Sequence, residues 1–128
     1  MKNMTKEQLV EVKLIASFMG LKQSDRLYKD HFTYVGDDII KAGLPFSNGI
    51  MGNCMDNLPF SSDWNWLIAV VDKIESLNFE VAIRGITVTI YSTTDKNPYF
   101  QPHSVCSTKI ESTYKAIVEF INWYNKTN

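Results

Sequence analysis

Two alternating runs meet at Arg84-Gly85 with opposite apolar phase, and one straight strand cannot carry both. Phe79, Val81 and Ile83 alternate with Glu80, Ala82 and Arg84, whereas Ile86, Val88 and Ile90 alternate with Thr87, Thr89 and Tyr91. Strand side chains point to opposite faces with period two, so a one-residue change of phase turns the apolar set over. Either the chain reverses at Arg84-Gly85 into a hairpin over about 79–91, or Gly85 marks a bulge. The hairpin is the expectation, although Arg-Gly is not among the favoured turn pairs.

Helical periodicity flanks this pair. Trp64, Leu67, Ile68, Val71, Ile74 and Leu77 recur at i, i+3, i+4, i+7, i+10 and i+13 after the capping residues Ser61-Ser62-Asp63, which predicts a helix over about 63–77. Trp64 continues that stripe. Trp66 lies about 200° round the helix, and is expected to be covered by the preceding segment rather than exposed as an interface anchor. Thr108-Lys109-Ile110-Glu111 is a capping box, and Ile110, Tyr114, Ile117, Val118, Ile121 and Tyr124 extend a stripe over about 108–125. Phe120 and Trp123 fall on its flanks. At the N-terminus, Thr5-Lys6-Glu7-Gln8 is a second capping box. Leu9, Val12, Ile15, Ala16 and Met19 follow it, and Gly20 supplies the stop, giving a helix over about 6–19.

Residues 21–60 carry Gly36, Gly43, Pro45, Gly49, Gly52 and Pro59, and read as an irregular, loop-rich insertion. Within it, Leu27-Tyr28 and Phe32-Thr33-Tyr34-Val35 could be short strands. Two strands alone rarely make a stable sheet. A third strand within 28–35 is therefore expected to join the hairpin. The whole is an α+β fold: a single domain over 1–128, with a small antiparallel sheet packed against three amphipathic helices. Residues 92–107 are polar and turn-rich and read as a loop.

Composition narrows the function. The 128 residues are 45% hydrophobic and 12% aromatic, enough for a packed core. The net charge of −1 argues against a general grip on nucleic-acid backbone or an anionic membrane. No apolar run approaches the roughly 18 residues of a membrane span. The N-terminus lacks the apolar stretch of a signal peptide, so a cytoplasmic setting in a host cell is expected. Cys54 and Cys106 are too few for a disulfide framework, and both thiols are expected to be free.

Candidate chemistry is thin. His31, Cys54, His103 and Cys106 are the soft ligands. His103-x-x-Cys106 has a spacing that a metal could use, but His31 and Cys54 form no second close pair, so neither a metal nor a cofactor is expected. The carboxylates fall mostly at predicted helix starts or outer faces, where capping and solvation account for them. No nucleophile elbow, phosphate loop or zinc-protease string appears. A hydrolase or metal site built on His103, Cys106 and a carboxylate is the least favoured reading. Recognition residues are sought instead where aromatic rings lie near cations, a combination that can also stack single-stranded nucleic acid. These are Arg84, Lys96, Tyr99, Phe100 and His103 around the loop 92–103, with Tyr28 and Phe32 in the irregular segment.

Three strings carry a family resemblance: Leu14-Ile15-Ala16-Ser17-Phe18-Met19-Gly20, the run from Leu58-Pro59-Phe60 through Trp64-Asn65-Trp66 to Lys73-Ile74-Glu75, and the run from Ser107-Thr108-Lys109-Ile110-Glu111 to Trp123-Tyr124-Asn125. Together they resemble the phage ABA-sandwich domain family, small proteins of phages and other mobile elements. The resemblance covers roughly a third of the chain, almost all of it predicted helix and core. It implies a sheet between helical layers, and it implies no particular activity. The stretch Asn53-Cys54-Met55-Asp56-Asn57 with the glycine-rich stretch before it, and residues 92–106, depart from the family pattern, and specialisation is expected there.

The setting implied by the resemblance favours a binding protein over an enzyme. The expectation is an inhibitor of a bacterial defence system. One concrete form is an anti-CRISPR protein docking on an RNA-guided nuclease or its RNA complex. The alternative is a phage structural or adaptor domain that self-associates and has no immune target.

Overall fold

In the computed structural model, the described residues are 6–21, 23–28, 31–35, 41–44, 53–55, 60–94 and 103–127; for 23–28, 31–35, 53–55, 103 and 127 the backbone alone is described. The fold is α+β, and the chain is built of two compact units, Met1–Pro59 and Phe60–Asn128.

In the first unit, α1 spans Lys6–Phe18 and buries Val12, Ile15 and Ala16. Val10 stands outside the stripe and is exposed. The helix ends where the sequence stops it. Gly20 adopts φ +80°. Its N–H donates to the Ser17 carbonyl at 3.1 Å, and the Leu21 N–H donates to the Ala16 carbonyl at 2.9 Å. This is the Schellman arrangement, which satisfies carbonyls that the helix end would otherwise orphan. The expected capping residue Thr5 lies outside the described residues.

The stretch expected to be irregular holds strands. β1 (Gln23–Tyr28), β2 (His31–Val35) and β3 (Asn53–Met55) form an antiparallel sheet in the order β1-β2-β3. Tyr28 pairs with His31 and Leu27 with Phe32, and the register shifts between Gln23 and Leu27. Tyr34 pairs with Cys54. The strand expected within 28–35 is thus present as β2, but its partners are β1 and β3 rather than the 79–91 hairpin.

The second unit begins with α2, Trp64–Ser76. Asp63 is its N-cap, accepting the Asn65 N–H on Oδ1 at 2.9 Å. The buried face is Trp66, Leu67, Val70, Val71 and Ile74. The stripe is therefore rotated from the sequence expectation: Trp64 is half-buried and Ile68 exposed. Trp66 takes the core position, its ring meeting Phe60 edge-on at 5.4 Å. After the helix, Asn78 turns the chain with φ +70°, a left-handed conformation that asparagine tolerates better than most residues. Its carbonyl accepts both the N–H and the hydroxyl of Thr93, each at 2.9 Å. Thr93 thereby pins this corner to the end of the next hairpin.

The hairpin is β4 (Phe79–Arg84) and β5 (Thr87–Ser92), paired without a bulge from Phe79–Ser92 to Arg84–Thr87. Its two-residue loop is Gly85-Ile86, one step later than Arg84-Gly85. Gly85 has φ +61°, and glycine first in such a loop suits a type II′ turn. Pairing across this loop also explains the phase change. Val81 faces Ile90 and Ile83 faces Val88, so odd positions on β4 share a face with even positions on β5.

A strand hidden in the polar loop completes the sheet. β6 (His103–Val105) pairs with β5, giving the order β4-β5-β6, so part of the stretch expected as loop is strand. α3 spans Lys109–Thr127, starting at Thr108, whose hydroxyl accepts the Glu111 N–H at 3.2 Å. α2 packs against β4, α3 against β5 and β6, and the two helices meet each other. Val81, Val88, Ile90, Leu67, Ile74, Ile117, Phe120 and Ile121 are buried. Phe120, expected on the flank, is fully buried, whereas Tyr124, expected inside, is half-buried. Phe79 meets Phe120 edge-on at 4.8 Å and Trp123 at 6.0 Å, closing this end of the core with rings.

Candidate functional site

The outer side of the β4-β5-β6 sheet is set by its register. Arg84 pairs with Thr87 and Thr87 with Val105; Ala82 pairs with Thr89 and Thr89 with His103; Glu80 pairs with Tyr91. The opposite side carries Val81, Val88, Ile90 and Ser104, all buried. Helices back this sheet, so groups on its outer side rest on a fixed platform. Their positions cost little further ordering on binding.

At the turn end of the sheet are two exposed aliphatic residues, Val105 on the outer side of β6 and Ile86 in the β4-β5 turn. Val105 is 56% exposed and Ile86 44% exposed. Ile86 is the turn residue that precedes Thr87, and Thr87 is the residue directly opposite Val105, so both mark the same end of the sheet. Arg84, also exposed, ends β4 beside them. Two apolar groups with a nearby guanidinium can anchor a partner by burial and by charge-assisted hydrogen bonding. Sequence reading missed both aliphatics: Ile86 looked like a strand-core residue, and Val105 lay in an apparent loop. The signal available for Val105 was a lone branched apolar residue in a polar stretch.

Further along the same side, the Tyr91 hydroxyl donates to Glu80 Oε2. This bond raises the Tyr91 pKa above its ordinary value, the Glu80 charge adds to the rise, and the Arg84 charge opposes it. The pair is a cross-strand latch on the exposed face.

The expected site residues are not gathered together. Arg84 and His103 belong to one sheet, on β4 and β6 with β5 between them. Tyr28 and Phe32 belong to the β1-β2 hairpin of the first unit. Lys96, Tyr99 and Phe100 lie outside the described residues.

His103 and Cys106 flank a polar knot. The Cys106 thiol is free and half-buried, and its backbone N–H donates to Ser112 Oγ at 2.8 Å. Ser104 Oγ donates to the Ser112 carbonyl. Thr113 Oγ1 donates to the Lys109 carbonyl at 2.8 Å. Ser104, Ser112 and Thr113 are buried, so these bonds satisfy groups that would otherwise be costly to bury. The knot ties β6 to the start of α3 and is structural. Among the described residues, no group of three or more His, Cys, Asp and Glu side chains is placed to hold a metal ion.

Among the described residues, no helix is long and apolar enough to cross a membrane. Comparison with known proteins finds no matching family model, no similar curated protein and no similar solved structure.

Proposed function

We propose that this chain is a phage or mobile-element protein that inhibits a bacterial antiviral defence system by non-catalytic docking. A CRISPR nuclease, alone or with its bound RNA, is the type of target meant, and the host cytoplasm is where they would meet. The resemblance of Leu14–Gly20, Leu58–Glu75 and Ser107–Asn125 to small phage proteins supports the setting. The observation that carries the docking mode is the exposed pair Ile86 and Val105 beside Arg84, at one end of a helix-backed sheet. Side chains of this type are costly to leave in water and gain when a partner covers them.

The test is phage plaquing on bacteria carrying a defence system directed against that phage. Expression of the chain is expected to restore plaques where the system blocks them. Expression of Ile86→Asp/Val105→Asp is expected to leave the block in place. Unrestored plaquing across a panel of RNA-guided systems would overturn the proposal.

A further inference from the structure

β4 is an edge strand with a charge pattern complementary to itself. It is the first strand in the order β4-β5-β6, and among the described residues no strand pairs with its other side. Edge strands invite pairing, and proteins commonly discourage it with proline, bulges or charged side chains. β4 has no proline and no bulge, and the two charges that it carries are opposite in sign and so do not repel a second copy paired antiparallel. Its sequence is Phe79-Glu80-Val81-Ala82-Ile83-Arg84, and its register with β5 is unbroken along all 6 residues. Its two charges have opposite sign, both are exposed, and both lie on the outer side, flanking Ala82 symmetrically.

We propose that β4 pairs antiparallel with β4 of a second copy of this chain, about a two-fold axis through Ala82. In that register Glu80 faces Arg84 of the second copy, and Arg84 faces its Glu80. On the helix-backed side Val81 faces Ile83, which is half-buried in the single chain and gains cover on pairing. The result is a continuous six-stranded sheet, twice the 3-stranded sheet of one copy. An isologous contact of this kind closes on itself and stops at two copies. Glu80 can serve both contacts, because Tyr91 is bonded to Oε2 and Oε1 remains to accept from the guanidinium. β6 and Val105 lie at the far edge of each half, so the dimer leaves them open to another partner. The inference does not rest on the anti-defence reading, although Arg84 is common to both surfaces.

The test is the mass of the full chain by sedimentation or light scattering over a dilution series, with the variants Arg84→Glu, Glu80→Lys and the swap Glu80→Lys/Arg84→Glu. The wild type is expected to be a dimer. Each single reversal puts two like charges opposite each other twice, and is expected to weaken association about tenfold or more. The swap restores opposite signs and is expected to restore the dimer. A wild-type monomer at every concentration overturns the proposal, as does a dimer that ignores the reversals or is not rescued by the swap. Should a charge variant fold poorly by circular dichroism, Ala82→Cys in a Cys54→Ser/Cys106→Ser background provides the second test. Residues facing each other across antiparallel strands have Cβ atoms about 5 Å apart, so oxidation is expected to cross-link two copies. A thiol that stays monomeric overturns the register.

Discussion

Tyr91 and Glu80 stand directly opposite each other on β5 and β4, and the phenol donates its hydrogen bond to the carboxylate. The bond favours the protonated phenol, so the folded-state pKa lies above the ordinary 10.0. A group whose pKa is raised on folding contributes stability that is fully present below its unfolded-state pKa and is lost as pH rises through the folded value. The latch is therefore intact at neutral pH and fails in alkali, where a phenolate would face a carboxylate. Spectroscopic titration should place Tyr91 above the ordinary value, and Glu80→Gln should lower it. Titration of the wild-type phenol at or below 10.0 would contradict the bond.

Gly85 tests the turn. Its φ is +61°, and a Cβ built there meets nothing within 4 Å. Any loss in Gly85→Ala is therefore backbone strain rather than collision. Gly85→Ala should cost about 1–2 kcal/mol, read as a lower urea midpoint with unchanged slope. An unchanged midpoint would mean that the turn does not need the left-handed conformation.

Ser112 tests the polar knot. Its hydroxyl accepts the Cys106 N–H, and removing it leaves that donor part-buried without its partner. Ser112→Ala should cost about 1–3 kcal/mol. Ser104→Ala removes one donor to the Ser112 carbonyl and should cost about 0.5–1.5 kcal/mol. Chemical denaturation measures both. Neutral values would show that β6 is held to α3 by packing alone.

The two neighbouring tryptophans should behave differently. Trp66 is buried against Phe60, whereas Trp64 is half-buried. Trp66→Ala should cost about 3–5 kcal/mol, with a clearly smaller loss for Trp64→Ala. Equal losses on thermal or urea unfolding would contradict the rotated stripe.

Legibility in the sequence followed the strength of the periodic signal. The three helices and the 79–91 hairpin could be read because many apolar residues enforce each phase. The stripe on α2 is rotated from the expectation because apolar residues at 64, 66, 67, 68, 70 and 71 spread over about 200° of the helix, wider than one buried face, leaving its phase underdetermined. β6 escaped notice because its buried member is Ser104, whose burial is secured by a hydrogen bond rather than by hydrophobicity. β1 to β3 lie in stretches punctuated by glycine and rich in polar residues. Their pairing depends on long-range register, which local pattern does not encode. The site was less legible than the fold. Arg84 was identified by its charge, but the exposure of Ile86 and Val105 depends on the position of the turn and on the existence of β6.

The turn end of the β4-β5-β6 sheet is proposed to bind a defence protein while the fold stays intact. Affinity capture from the native host, with mass spectrometry, compares the wild type with Ile86→Asp/Val105→Asp after both are shown to melt alike. A defence nuclease complex should be recovered by the wild type and lost with the variant. Recovery of the same complex by both chains, or of no defence component by either, would contradict the proposal.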